Sequence, residues 1–115
     1  MYQVIFYETS RGDCPVQDFL DELEKKPRAK ILKFIGHLER LGPDLPRPYA
    51  DGIRDKIREL RIPYGRRQWR FLYFFDGERV VMTQGFLKKT WAVPEEEIER
   101  ALRRMEDWFC RGGNA

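Results

Sequence analysis

The residues of this 115-residue chain that could do chemistry are cations. Lys56, Arg58 and Arg61 lie on or just before one strand-like segment. Arg66, Arg67 and Arg70 lie at a turn and on the next, and Lys88 and Lys89 sit just past a third. Alternation along Gln68–Phe75 (QWRFLYFF) puts Arg70 on the face of Leu72 and Phe74. A charge inside so apolar a strand is costly unless it has a partner or a task. Two readings of Arg70 therefore stand side by side: a buried pair with a carboxylate such as Glu59, or a site residue. Arg61 falls opposite the Leu60/Ile62 face, together with Glu59.

Other chemistries find little support. The single histidine, His37, falls mid-helix and reads as a helix-surface or boundary residue, so a histidine pair cannot run acid–base catalysis. No His/Cys/Asp/Glu cluster has metal-ligand spacing, and no glycine-rich phosphate loop is present. Cys14 and Cys110 form no CxxC; two reduced thiols are the simpler reading, with a disulfide left open.

The net charge is only +3, but it is unevenly placed. Arg47 to Arg70 holds eight Lys/Arg against three Asp/Glu, whereas Pro94 to Cys110 holds three Arg against six Asp/Glu. This asymmetry points to a polyanionic partner met on one face; a merely solvated surface is the plain alternative. Hydrophobic residues make up 42%, enough for one core, and the length fits one domain over residues 1–115. No apolar run approaches a membrane span and no secretory signal opens the chain, so the expected location is the cytoplasm.

The elements that must position these cations follow from periodicity. Tyr2–Glu8 reads as a first strand. Asp13 is a plausible cap before Pro15, and Val16, Phe19, Leu20 and Leu23 mark a short helix ending before Pro27. A second helix, about Arg28–Leu41, carries Ile31, Phe34, Ile35, Leu38 and Leu41 and stops at Gly42-Pro43. Pro43–Gly52 reads as a loop. Strands follow at Lys56–Pro63, Gln68–Phe75 (the central one) and Val80–Leu87, with a type I′ hairpin at Asp76-Gly77 and a bulge or close approach at Gly85. Pro94 opens a last helix, with Val93 as its cap and Ile98, Ala101, Leu102, Met105 and Phe109 as its buried stripe. The expected fold is α+β: a small, mainly antiparallel sheet of about four strands, two N-terminal helices covering one face, and one C-terminal helix. The two-helix excursion is expected to return the chain beside or near the first strand.

The runs GIRDKIRELR, WRFLYFF and GFLKKTWAVPEEEIERALRR resemble the RelE/ParE toxin superfamily, and within it the HigB-type, phage-derived toxin-like branch. The resemblance rests on Glu59-Leu60-Arg61, Trp69-Arg70, Phe86-Leu87-Lys88-Lys89 and the proline-initiated helix Pro94–Arg104, and it covers about the last two-thirds of the chain. It implies a RelE-like fold and a ribosome-dependent mRNA endonuclease that needs no metal or other cofactor. In that chemistry the 2′-hydroxyl attacks its own scissile phosphate, leaving a cyclic phosphate and a 5′-hydroxyl. The resemblance assigns Arg61 and Arg70 to phosphate clamping, and Lys88 and Lys89 to substrate grip or proton transfer. Lys56, Arg58, Arg67 and Trp91 would help bind RNA. Tyr64 and Trp69 could also stack on a base, although core packing is the better reading of Trp69. Several members of the superfamily carry a catalytic Tyr or His near the C-terminus. This chain ends Asp107-Trp108-Phe109-Cys110-Arg111 before its final glycines and offers neither.

The implied partners are mRNA on the ribosome and a helix-turn-helix antitoxin encoded in an adjacent gene, through which alone the pair would bind operator DNA. No membrane partner is implied. A ParE-like inhibitor of DNA gyrase and a non-catalytic phage-derived binding module are the competing readings.

Overall fold

The computed structural model describes residues 1–113. Its elements run β1 (Gln3–Phe6), α1 (Pro15–Asp21), α2 (Lys25–Leu41), a 3₁₀ turn (Gly42–Asp44), β2 (Ala50–Arg54), β3 (Ile57–Tyr64), β4 (Arg67–Asp76), β5 (Arg79–Leu87) and α3 (Glu95–Cys110). The strands form one five-stranded sheet in the order β1-β5-β4-β3-β2. β2 through β5 are antiparallel to their neighbours, and β1 lies parallel to β5. The architecture is α+β with a mixed sheet.

This corrects the expected fold in two ways. The sheet has five strands, not about four, because Ala50–Arg54 pairs with β3. Its Asp and Gly give it poor strand character, so pairing with a strong neighbour, not propensity, makes it a strand. The helices do return the chain beside β1, the Glu39 carbonyl accepting the Tyr2 N–H at 2.8 Å, but the next strand, β2, lies at the opposite edge of the sheet. The 17 residues of α2 span about 25 Å, and four interstrand gaps amount to about 19 Å. That length does not make the crossing, however, because the last turn of α2 lies at β1; the 3₁₀ turn and the proline-rich segment after it carry the chain to β2. Finally, Pro27 does not separate the helices. It sits in the first turn of α2, where its missing N–H has no intrahelical acceptor to lose. The turn between α1 and α2 is held by Arg28, whose Nε donates to the Leu20 carbonyl at 2.8 Å and thereby closes the end of α1.

Strand alternation builds two cores. Leu60, Ile62, Trp69, Phe71, Tyr73 and Met82 pack beneath Ile31, Phe34, Ile35 and Leu38 of α2 and Val16 and Leu20 of α1. The other face presents Ile57, Leu72, Phe74 and Val81 to Ala101 and Trp108 of α3. β4 is central and supplies large residues to both faces. Trp69 is fully buried, as the packing reading required.

Local details also moved. The β4–β5 hairpin pairs Asp76 with Arg79, so its central residues are Gly77 and Glu78. Only Gly77 has positive φ, +61°, which suits type II′ rather than type I′. In β5 a register shift leaves Thr83 unpaired, while Gly85 faces the Phe71 ring so closely that a Cβ there would lie 2.3 Å from Phe71 Cε2. In α3 the cap is Pro94 rather than Val93. Trp108 takes the buried end position assigned to Phe109, anchored by its Nε1–H donating to Asp76 at 2.9 Å; Phe109 stays exposed. Cys14 caps α1 in place of Asp13, without a side-chain bond, and both cysteines are free thiols. No helix among the described residues is long and apolar enough to cross a membrane.

Candidate functional site

Arg61 on β3 and Arg70 on β4 are directly opposite each other in the sheet. Like charges so placed repel unless something lies between them. Here that is Glu59, two residues from Arg61 and therefore on the same face. Its Oε1 accepts from Arg70 Nε at 2.8 Å and its Oε2 from Arg61 Nη2 at 3.0 Å. Glu59 and Arg70 are only 5% and 6% exposed, so this pair is a floor rather than a surface decoration. Arg70 Nη2 also donates to Gln68 Oε1 at 2.8 Å. Arg61 reaches Asp51 on β2 at 3.4 Å, but its buried Nε has no acceptor.

Two depressions open on either side of this pair. One is lined by Pro48, Tyr49, Pro63 and Gln68 together with the two arginines. The other is lined by Ile53, Glu59, Lys88 and Trp91 together with the same arginines. Trp91 is 98% exposed there. The Arg54–Glu95 ion pair ties β2 to the first turn of α3, beside the second depression.

The electrostatics are those of crowded cations. Burial lowers the pKa of Arg70, opposed by Glu59 and reinforced by Arg61. Burial likewise lowers that of Lys88; the Arg70 charge adds to the effect, Glu59 opposes it and Arg61 adds again. Such a cleft can neutralise a phosphate and offers an amine that gives up its proton more readily than an ordinary lysine. Among the described residues no group of three or more His, Cys, Asp or Glu side chains is placed to hold a metal ion.

Of the residues singled out from the sequence, Arg61, Arg70, Lys88 and Trp91 come together. Arg70 is paired with Glu59, and it also lines both depressions. Lys89 is exposed and lines neither depression. Lys56 lies in the β2–β3 turn, and Arg58, with the parity of Leu60 and Ile62, belongs to the α1/α2 face; both line a separate depression with Phe75. Arg67, with the parity of Trp69 and Phe71, begins β4 on that same face. Tyr64 packs on Trp69 with ring centroids 5.4 Å apart. His37 is half-buried on α2, stacked edge-on against Phe34.

Gln68 and Tyr49 also border the site, although neither is a candidate from the sequence. Gln68 was legible in principle, being two residues from Arg70 on one strand face. Tyr49 was not, because nothing in the proline-rich approach to β2 shows that it will border Arg61.

The family model described as "Phage derived protein Gp49-like (DUF891)" matches residues 18–106. No curated protein matches the chain.

Proposed function

The chain belongs to the Gp49-like family of phage-derived proteins, a toxin-like family within the RelE/HigB-like superfamily, and on that premise we propose that it is the toxin of a toxin–antitoxin pair and cleaves mRNA. The observation that carries this reading is the Arg61–Glu59–Arg70 floor, with Lys88 beside it and a depression on either side. Two guanidiniums held by one carboxylate are preorganised to clamp a phosphodiester, and their planar forks match its oxygens.

In the proposed reaction the RNA 2′-oxygen attacks the adjacent phosphorus and the bond from phosphorus to the 5′-oxygen breaks. The products are a 2′,3′-cyclic phosphate and a 5′-hydroxyl, with no water consumed. The 2′-hydroxyl proton passes to solvent, because both Glu59 oxygens are engaged by Arg61 and Arg70. Lys88 gives its proton to the departing 5′-oxygen, a task suited to its lowered pKa. Arg61 and Arg70 hold the charge that builds on the phosphoryl oxygens. Lys88 thus takes a role that other superfamily members give to a C-terminal Tyr or His. The proposed partners are mRNA on the ribosome and a helix-turn-helix antitoxin encoded in an adjacent gene, whose acidic side chains would cover the cleft.

The test is to induce the protein in cells and map mRNA 5′ ends by primer extension. Cuts that vanish with Arg61→Ala and Arg70→Ala, in variants that still melt cooperatively, are the expected result. Growth arrest with intact mRNA and trapped gyrase would favour the ParE-like alternative. No growth effect at all would leave a binding module.

A further inference from the structure

The geometry points to the Pro48–Tyr49–Pro63–Gln68 depression as a nucleobase pocket that selects a keto base, uracil or guanine, over adenine beside the clamped phosphate. This rests on the nuclease reading for its biological setting, but the pocket itself is argued from its own groups. The depression shares Arg61 and Arg70 with the phosphate floor, so a base inside it would belong to a nucleotide next to the clamped phosphate. Its walls are two proline rings and a tyrosine that is 43% exposed, which are flat apolar surfaces suited to a base. Tyr49 is held at the mouth from two directions. Its carbonyl accepts the Arg61 backbone N–H at 2.8 Å, and its ring meets Phe34 edge-on with centroids 6.0 Å apart.

Gln68 supplies the discrimination. Arginine only donates hydrogen bonds, so the Gln68 atom that meets Arg70 Nη2 must be the carbonyl oxygen. That contact fixes the amide orientation and engages one of the two lone pairs of its oxygen. Among the described residues no protein acceptor takes the Nε2 hydrogens, so Gln68 faces the pocket as a donor. A donor matches the O4 of uracil or the adjacent O6 and N7 of guanine. It opposes the N6 amine of adenine, which itself donates. The usual bidentate glutamine–adenine pairing would have to share the Gln oxygen with Arg70.

The experiment has a cellular and a binding arm. In cells, wild type and Gln68→Ala are induced and mRNA ends mapped. The expected result is cuts flanked at one position by U or G in wild type, with that preference reduced roughly tenfold in Gln68→Ala. In solution, labelled RNAs of sequence A-N-A, with N as U, G or A, are titrated into the purified chain and read by fluorescence anisotropy. Wild type should favour U and G, Gln68→Ala should bind all three alike, and Tyr49→Ala should weaken all three by about tenfold. Gln68 is exposed, so its variant keeps the fold, and circular dichroism checks this. Equal base dependence in wild type and Gln68→Ala, in either arm, overturns the pocket. An absence of mRNA cuts with base-dependent binding intact strikes the nuclease reading alone and leaves the pocket standing.

Discussion

At the scale of single residues, the Arg61–Glu59–Arg70 arrangement couples stability to function, and the two can be separated. Removing Glu59 alone leaves a buried guanidinium without its carboxylate. Glu59→Gln is expected to cost about 3 kcal/mol, read as a fall in thermal midpoint. The paired change Glu59→Leu with Arg70→Met removes both charges and should restore most of that midpoint while RNA binding stays lost. A midpoint that does not recover would mean the pair contributes more than charge compensation. Lys88 is tested by pH. Its ammonium is destabilised by burial and by Arg70, so it becomes neutral at lower pH than the ordinary lysine value of 10.5. As a proton donor it must be charged, so cleavage should fall as pH rises through its lowered pKa. Lys88→Arg keeps the charge but holds its proton far more tightly. Cleavage should then drop by about 10²–10⁴ with RNA affinity little changed; a near-wild-type rate would make Lys88 a grip only.

At the scale of elements, the sheet that carries the site depends on two close fits, one on each face. The first is Gly85 against the Phe71 ring. Gly85→Ala must push either the ring or β5 aside and is expected to cost about 1–3 kcal/mol by denaturant unfolding. Since β5 leads directly to Lys88, the same variant should weaken cleavage more than its folded fraction explains. The second fit is the docking of α3. Tyr7, just past β1, donates its hydroxyl hydrogen to Asp107, and Arg111 pairs with the same carboxylate at 2.7 Å. The Tyr7 hydroxyl first, and then Arg111, hold the Asp107 pKa below its ordinary value of 3.8. A depressed carboxylate stabilises the fold above its unfolded pKa and loses that contribution as pH falls through its folded value. Amide exchange in α3 should therefore accelerate below about pH 3.8, and Tyr7→Phe should shrink that acid response.

At the scale of the molecule, cations and carboxylates are segregated. The floor between β3 and β4 is cationic, whereas α3 opens with Glu95, Glu96 and Glu97. RNA binding at the cleft should weaken linearly in log–log fashion with salt, each neutralised phosphate adding about one unit of slope. Arg61→Ala should reduce that slope by roughly one, while charge removal at exposed Glu99 on α3 should leave it unchanged. An equal response to both would mean the field of the whole surface, not the cleft, attracts the RNA.

Much of this was legible in local pattern. Period-two alternation placed Arg61 with Glu59 on one face of β3 and Arg70 with Leu72 and Phe74 on one face of β4, and the cost of an arginine among Leu72 and Phe74 marked Arg70 as partnered or functional; the β3–β4 register then set Arg61 opposite Arg70. Helix stripes separated α2 from α3, and the unusual Gly85 announced a close approach. All of these depend on neighbours within a few residues or on side-chain direction along one strand. Other features depend on segments distant in sequence that only meet when folded. β2 becomes a strand only because β3 is there to pair with, and β1 and β2 reach opposite edges because β5, β4 and β3 pair between them. Arg58 leaves the site because its parity sends it to the helix-covered face, and Trp91 enters it because the β5–α3 connection passes the floor. Tyr49 joins Gln68 only through the β2–β3 pairing. Local pattern decides which face a side chain takes; long-range pairing decides which faces, edges and loops share a cleft.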